Sequence, residues 1–175
     1  MDTHASTNDT FLLFSTGAQA ASAQRSELES ALERVTHRLA WLIARDGEGA
    51  TKVTTIRVTG AESDDAADAI ARGIARSALV RTALFGNDPN WGRFVSAAGN
   101  SLHLRHPERV RCTLQGVVVF DRGEPLAFDR TAVSAAMRAE DVELALDVGD
   151  GNGEALVMTS DLGYRYVEVN AEYTT

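Results

Sequence analysis

The 175-residue chain holds one cysteine, Cys112, and only three prolines. One thiol makes no internal disulfide, so nothing in the sequence calls for an oxidising compartment, and a metal site would have to be built from histidine and carboxylate side chains. Positive charge is scarce: 17 Lys and Arg stand against 25 Asp and Glu, a formal net charge of −8. A nucleic-acid or anionic-membrane surface needs a basic footprint, and this balance argues against both. Long apolar runs are missing as well. Phe11-Leu12-Leu13-Phe14 is far too short for a bilayer span of ~20 residues, and the polar residues before it do not make a secretory signal. The expectation from these absences is a cytoplasmic protein with no metal site, no nucleic acid and no membrane partner. The chain also lacks a Gly-x-Ser-x-Gly elbow and a phosphate loop ending in Gly-Lys-Ser/Thr, which removes two common catalytic designs.

Hydrophobic residues make up 44% of the chain, enough at this length to bury a core without staples. Both helical and strand periods are present. Leu28, Leu32, Val35, Leu39 and Leu42 are spaced by fours and threes, which predicts one face of a helix, opened by a capping box in which Ser26 caps and Glu29 reaches back. Thr54, Ile56 and Val58 alternate with Thr55, Arg57 and Thr59, the period of a half-buried strand. A second helix is predicted from Ser63, with Asp64 and Asp65 suiting the dipole of its first turn and Ala67, Ile70, Ala71 and Ile74 as its stripe. Asp88-Pro89 reads as another helix start, Asp as cap, closed by Gly99. Val110, Cys112 and Leu114 lead past Gly116 into Val117-Val118-Val119-Phe120, a hairpin or bulged strand. Asp129 opens a short helix carrying Val133 and Met137. Val142, Leu144, Leu146 and Val148 form a strand, and Gly149-Asp150-Gly151-Asn152-Gly153 reads as a hairpin turn into the next. Residues 11–14 read as a short buried strand that needs a neighbour, and Tyr164, Tyr166, Val167 and Val169 as a last aromatic strand. Strands and helices intermix, so the class is α/β (α+β mixed). With no repeat, linker or low-complexity stretch, residues 1–175 are expected to form a single unit.

Four local groupings invite a chemical reading. His103 and His106 lie three apart with Glu108 nearby, but Arg105 and Pro107 interrupt them and no second cluster completes a metal site, so surface-loop histidines are expected. Phe85-Gly86-Asn87-Asp88-Pro89-Asn90-Trp91-Gly92-Arg93 suits either a helix N-terminus that binds an anion with help from Arg93, or a capped turn around a packed tryptophan. Glu48 stands between Gly47 and Gly49, which would let a ligand's amine approach its carboxylate. A plain helix-to-strand turn explains the same residues. Asn170-Ala171-Glu172-Tyr173-Thr174-Thr175 closes the chain with polar groups, where fraying is the ordinary outcome.

Together these strings resemble the ornithine acetyltransferase family, also called bifunctional glutamate N-acetyltransferase. The resemblance rests on Ser6-Thr7-Asn8-Asp9-Thr10, then Asp46-Gly47-Glu48-Gly49-Ala50-Thr51-Lys52, then Leu79-Val80-Arg81-Thr82-Ala83-Leu84-Phe85-Gly86-Asn87-Asp88-Pro89-Asn90-Trp91-Gly92-Arg93, and the terminal Asn170 to Thr175. They occur in the family's order from one end of the chain to the other. The resemblance implies acetyl transfer from N-acetylornithine to glutamate in arginine biosynthesis, with acetyl-CoA as a possible second donor and no bound cofactor. It further implies a precursor that cleaves itself at an Ala-Thr bond, freeing a threonine as the N-terminal nucleophile of a β chain. Glu48, Asn170 and Thr175 match the family's substrate-binding positions.

The nucleophile's own segment has no counterpart among these 175 residues, and Thr3 does not share its surroundings. The family's nucleophile, oxyanion donors and a substrate-binding lysine belong upstream. The expectation is therefore a β-chain portion, inactive alone, that works with an upstream α-type chain or as a homo-oligomer. A non-catalytic partner subunit or remnant, and a relative acting on another N-acyl amino acid, are the alternatives. Two departures stand out: His4 where the family commonly has an acid, and Gly163 where it has Thr or Ser.

Overall fold

A computed structural model describes residues 8–18 and 24–172. The elements run α1 (Arg25–Arg45), β1 (Val53–Ala61), α2 (Asp64–Arg76), α3 (Ala78–Phe85), α4 (Trp91–Gly99), β2 (Arg111–Leu114), β3 (Val117–Asp121), β4 (Glu124–Pro125), α5 (Arg130–Ala136), β5 (Asp141–Asp147), β6 (Gly153–Ser160) and α6 (Tyr164–Glu172). The strands form one six-stranded sheet in the order β4-β3-β2-β5-β1-β6. Only β1 and β5 run parallel; the other neighbours are antiparallel. This is the α/β arrangement expected from the intermixed periods.

Strand alternation decides the two faces of the sheet. Ile56, Val58, Cys112, Leu114, Leu144 and Leu146 are fully buried on one face, against Ile70, Ala71 and Ile74 of α2 and Phe94 and Ala98 of α4. Each Ile, Leu or Phe so buried contributes roughly 1.5–3 kcal/mol. Helix α2 starts where predicted, with the Ser63 hydroxyl accepting from the Ala66 amide and two aspartates in the first turn. Trp91 at the start of α4 stacks on Phe120 with centroids 4.9 Å apart.

The opposite face carries Thr55, Arg57, Leu156 and Met158, and α1 lies over it. Trp41 Nε1 donates to Asp141 at 2.6 Å and Arg45 pairs with Glu140. The side of α1 toward the sheet is its polar one: Glu33, Thr36, His37 and Ala40 line a cavity of about 700 Å³ shared with Arg57, Leu156 and Met158. Its predicted apolar stripe looks outward, with Leu28, Val35, Leu39 and Leu42 all exposed.

Several expectations are corrected. Residues 11–14 are not a strand; they are irregular, and all four side chains are exposed, because no strand edge stands beside them to complete a ladder. The box opening α1 pairs Gln24 with Glu27, not Ser26 with Glu29. Helix α3 has no counterpart among the expected elements: Ser77 caps it, and its apolar positions are few and mixed with Arg81. The cap of α4 is Asn90, whose side chain accepts from the Arg93 amide, while Asp88 binds Arg130 at 2.9 Å. The turn at Gly149 to Gly153 is no hairpin between neighbours, since β1 lies between β5 and β6; it arches over the end of β1, with the Asp150 and Gly151 amides donating to Gly60 O. The last aromatic segment is the helix α6. Tyr164 and Val167 are exposed on it, and it packs on the Glu48 turn instead of extending the sheet.

Candidate functional site

The turn carrying Glu48 follows from its glycines. Helix α1 ends at Arg45, Asp46 takes the cap, and Gly49 adopts φ 70°, the left-handed region that glycine enters without strain. A Cβ at Gly49 would lie 2.6 Å from the Tyr166 amide nitrogen, so only glycine lets this turn rest on the first turn of α6. Glu48 is thereby set beside Asn170. The Asn170 side-chain amide donates from Nδ2 to Glu48 Oε2 at 2.6 Å and to the Tyr166 carbonyl at 2.9 Å. Both neighbours are acceptors, so the NH₂ group must face them, and Asn170 Oδ1 is left to accept. Glu48 Oε1 and Asn170 Oδ1, on two exposed side chains joined by that bond, are then left as acceptors, the kind of group an ammonium satisfies. Glu48 and Asn170, two of the three predicted substrate-binding residues, are brought into contact. Thr175, Thr3 and His4 lie outside the described residues.

Beneath this surface pair lies a buried polar knot. Lys52, the chain's one lysine, is 4% exposed and donates from Nζ to Leu84 O at 3.0 Å, Asn87 Oδ1 at 2.5 Å and Met137 O at 2.9 Å. Three protons meet three acceptors, which a compact ammonium does and a planar guanidinium does not. Burial pulls the Lys52 ammonium below the ordinary lysine range, and the nearby Asp161 carboxylate opposes that pull. Asp161 accepts from the Thr51 and Lys52 amides and from the Thr51 hydroxyl. Arg81 donates to the Ser160 carbonyl at 2.9 Å and the Ser160 hydroxyl at 3.0 Å. Lys52, Asp161 and Arg81 are functional candidates that the sequence patterns alone do not mark. Lys52 and Arg81 sat inside the quoted strings, and a lone aspartate at a strand end before Gly163 was the available signal for Asp161.

The segment from Phe85 to Arg93 is the capped turn, not an anion cradle. The Arg93 guanidinium is committed to Leu79 O and Thr82 Oγ1, away from the helix start, and Asn90 occupies the first free amide. Gly163 has a packing reason: a Cβ there would run into the Phe85 ring, which itself packs edge-on against Tyr164. His103 and His106 lie in surface turns, His106 bonded to Glu108 at 3.0 Å. Among the described residues no group of three or more His, Cys, Asp or Glu could hold a metal, and no helix is long and apolar enough to cross a membrane.

Comparison with known proteins decides the family. A model of the ArgJ family matches residues 1–175. The chain belongs to the ArgJ family. It is 46% identical over 175 residues to the arginine biosynthesis bifunctional protein ArgJ of Thermus thermophilus, covering all of this chain and 45% of that protein. With the ArgJ of Parasynechococcus marenigrum the identity is 43%, covering all of this chain and 43% of that one. The chain thus spans less than half the length of these relatives. The crystal structure of arginine biosynthesis bifunctional protein ArgJ from Bacillus halodurans superposes with a TM-score of 0.82 at 37% identity, covering 85% of this chain and 70% of that one.

Proposed function

We propose that this chain is the amino-acid-binding half of an acetyltransferase of arginine biosynthesis, moving an acetyl group from N-acetylornithine, or from acetyl-CoA, to glutamate. The observation that supports it is the Glu48–Asn170 pair, whose two free oxygens suit the ammonium of an ornithine-type amino acid. Thr175 is the third residue of the proposed substrate site. The nucleophile is a threonine of the other half of the ArgJ protein, which the chain's share of its relatives' length leaves room for. An N-terminal threonine brings its own base, because an α-amine with a pKa near ~8 accepts the hydroxyl proton at neutral pH.

The partner in this reading is that other half, seated on the outward stripe of α1. Val35 and Leu39 are 56% and 42% exposed there, beside Leu28 and Leu42. Apolar stripes of this kind are normally covered.

Acetyl transfer is the test. The 175-residue chain alone is expected to give no acetyl-enzyme by intact mass after incubation with N-acetylornithine, and the chain assembled with the other half is expected to turn over. Turnover by the chain alone, with the label on one of its own residues, overturns the division of labour. Failure of the assembled protein to bind ornithine favours a non-catalytic subunit instead.

A further inference from the structure

The Glu48 turn and α6 are far apart in sequence, and besides the surface contact of Glu48 with Asn170 and the packing of Gly49 on Tyr166, one buried carboxylate ties the turn to the segment that leads into α6. Asp161 directly follows β6, and residues 161–163 lead into α6. Asp161 is 2% exposed. Oδ1 accepts from the Thr51 amide at 2.8 Å and the Lys52 amide at 3.1 Å, and Oδ2 accepts from the Thr51 hydroxyl at 2.5 Å. All three donors sit at the end of the string that carries Glu48. The other side of the linker is fixed to α3: the Leu162 amide donates to Arg81 O at 3.1 Å, and Arg81 Nη2 donates to Asp161 O at 3.3 Å.

Glu48 and Asn170 are themselves exposed. Two exposed, flexible side chains gain little from meeting, because ordering them opposes the bond. Their contact therefore depends on the backbone beneath being held. We infer that Asp161 is a positioning residue: it ties the Glu48 turn to the start of α6, so that Glu48 Oε1 and Asn170 Oδ1 face one ammonium group. The purpose assigned to the tie rests on the amino-acid-binding reading; the tie itself does not.

The bonding pattern separates geometry from charge. An asparagine at this position keeps an oxygen for the two amides and turns an NH₂ toward the Thr51 hydroxyl, which can accept. Asparagine therefore preserves the tie and alanine does not.

The experiment uses the ¹⁵N-labelled 175-residue chain, with the Asn170 side-chain amide signals assigned by their loss in Asn170→Asp. Glu48→Gln is expected to shift these signals. Asp161→Ala is expected to move them toward those of a free amide, and Asp161→Asn to leave them in place. Signals unmoved in Asp161→Ala but moved in Glu48→Gln overturn the inference while leaving the pair standing. Equal shifts in the Ala and Asn variants also overturn it, in favour of a charge effect on Lys52. If Asp161→Ala does not fold, Thr51→Val, which removes only the hydroxyl bond, is expected to give a partial shift, and no shift counts against the tie. L-ornithine is titrated separately. Asp161→Ala is expected to weaken it about tenfold, with recovery in the Asn variant. If ornithine fails to bind, or binds equally well to Glu48→Gln, while the amide shifts behave as expected, the amino-acid reading falls and the tie remains.

Discussion

Asn170 reaches across 122 positions of sequence to donate a 2.6 Å hydrogen bond to Glu48. Removing the charge without changing the shape isolates what that carboxylate does. Charge-assisted hydrogen bonds contribute roughly 1.5–3 kcal/mol. Glu48→Gln is therefore expected to lower kcat/KM for ornithine-type substrates about ten- to a hundredfold in the assembled enzyme. Near-normal kinetics would mean that Glu48 only shapes its turn. Thermal unfolding should barely change, because the residue is exposed.

Lys52 gives the opposite profile, a large effect on stability from a buried residue. Lys52→Met strands Leu84 O, Asn87 Oδ1 and Met137 O beside an apolar side chain. Each stranded buried acceptor costs about 1–3 kcal/mol, so a loss of about 3 kcal/mol or more in urea unfolding is expected. Lys52→Arg should not restore it, because the guanidinium fork cannot aim three protons at one point. Full recovery by arginine would count against the three-acceptor account.

Gly153 tests a backbone approach. A Cβ there would run into the Ser63 backbone at the cap of α2, where no side chain can swing aside. Gly153→Ala is expected to destabilise by about 1–3 kcal/mol, measured by chemical denaturation. Wild-type stability would show that the cap and the β6 start can separate freely.

Glu48 and Lys52 also mark how far the sequence could be read. The helix starting after Ser63 and the strand through Ile56 were legible because capping chemistry and alternation agree with the packing they meet. Glu48 and Asn170 were legible as site candidates only through the family resemblance; spacing alone favoured a plain turn and a frayed end. The final segment failed as a strand because Tyr164, Tyr166, Val167 and Val169 fit both periods over so short a run, and the Glu48 turn, not the sheet edge, decided between them. Helix α1 was read correctly as a helix, yet its stripe proved to face outward, since periodicity gives a face but not what covers it. Lys52 and Asp161 depend on partners 32 to 110 positions away, which no local pattern encodes.

The outward stripe of α1 carries the partner proposal. Val35→Glu with Leu39→Glu places two carboxylates in the proposed seat without touching the buried core. Desolvating even one unpaired charge at such an interface is costly. Co-purification of the double variant with the other half of an ArgJ protein is expected to be lost, while its circular dichroism matches the parent. Unimpaired association would place the partner elsewhere.

Cys112 makes the stability of the chain fall at alkaline pH. The thiol is fully buried between β2 and the helices, and burial pushes its pKa up to about 12 from 9.0. Between those values the unfolded chain has released a proton that the folded chain still holds, so rising pH favours unfolding. The contribution is fully present below pH 9 and is lost progressively as pH approaches 12. Its full size is on the order of 4 kcal/mol, about half of which is spent by pH 10.5. Cys112→Val removes the titration while keeping an apolar side chain in place. Every other side chain is common to the two proteins, so its contribution cancels in the comparison. Between pH 8 and pH 10.5 the parent is therefore expected to lose about 2 kcal/mol more than the valine variant in urea unfolding. Parallel pH profiles for the two would show that the thiolate reaches solvent without unfolding.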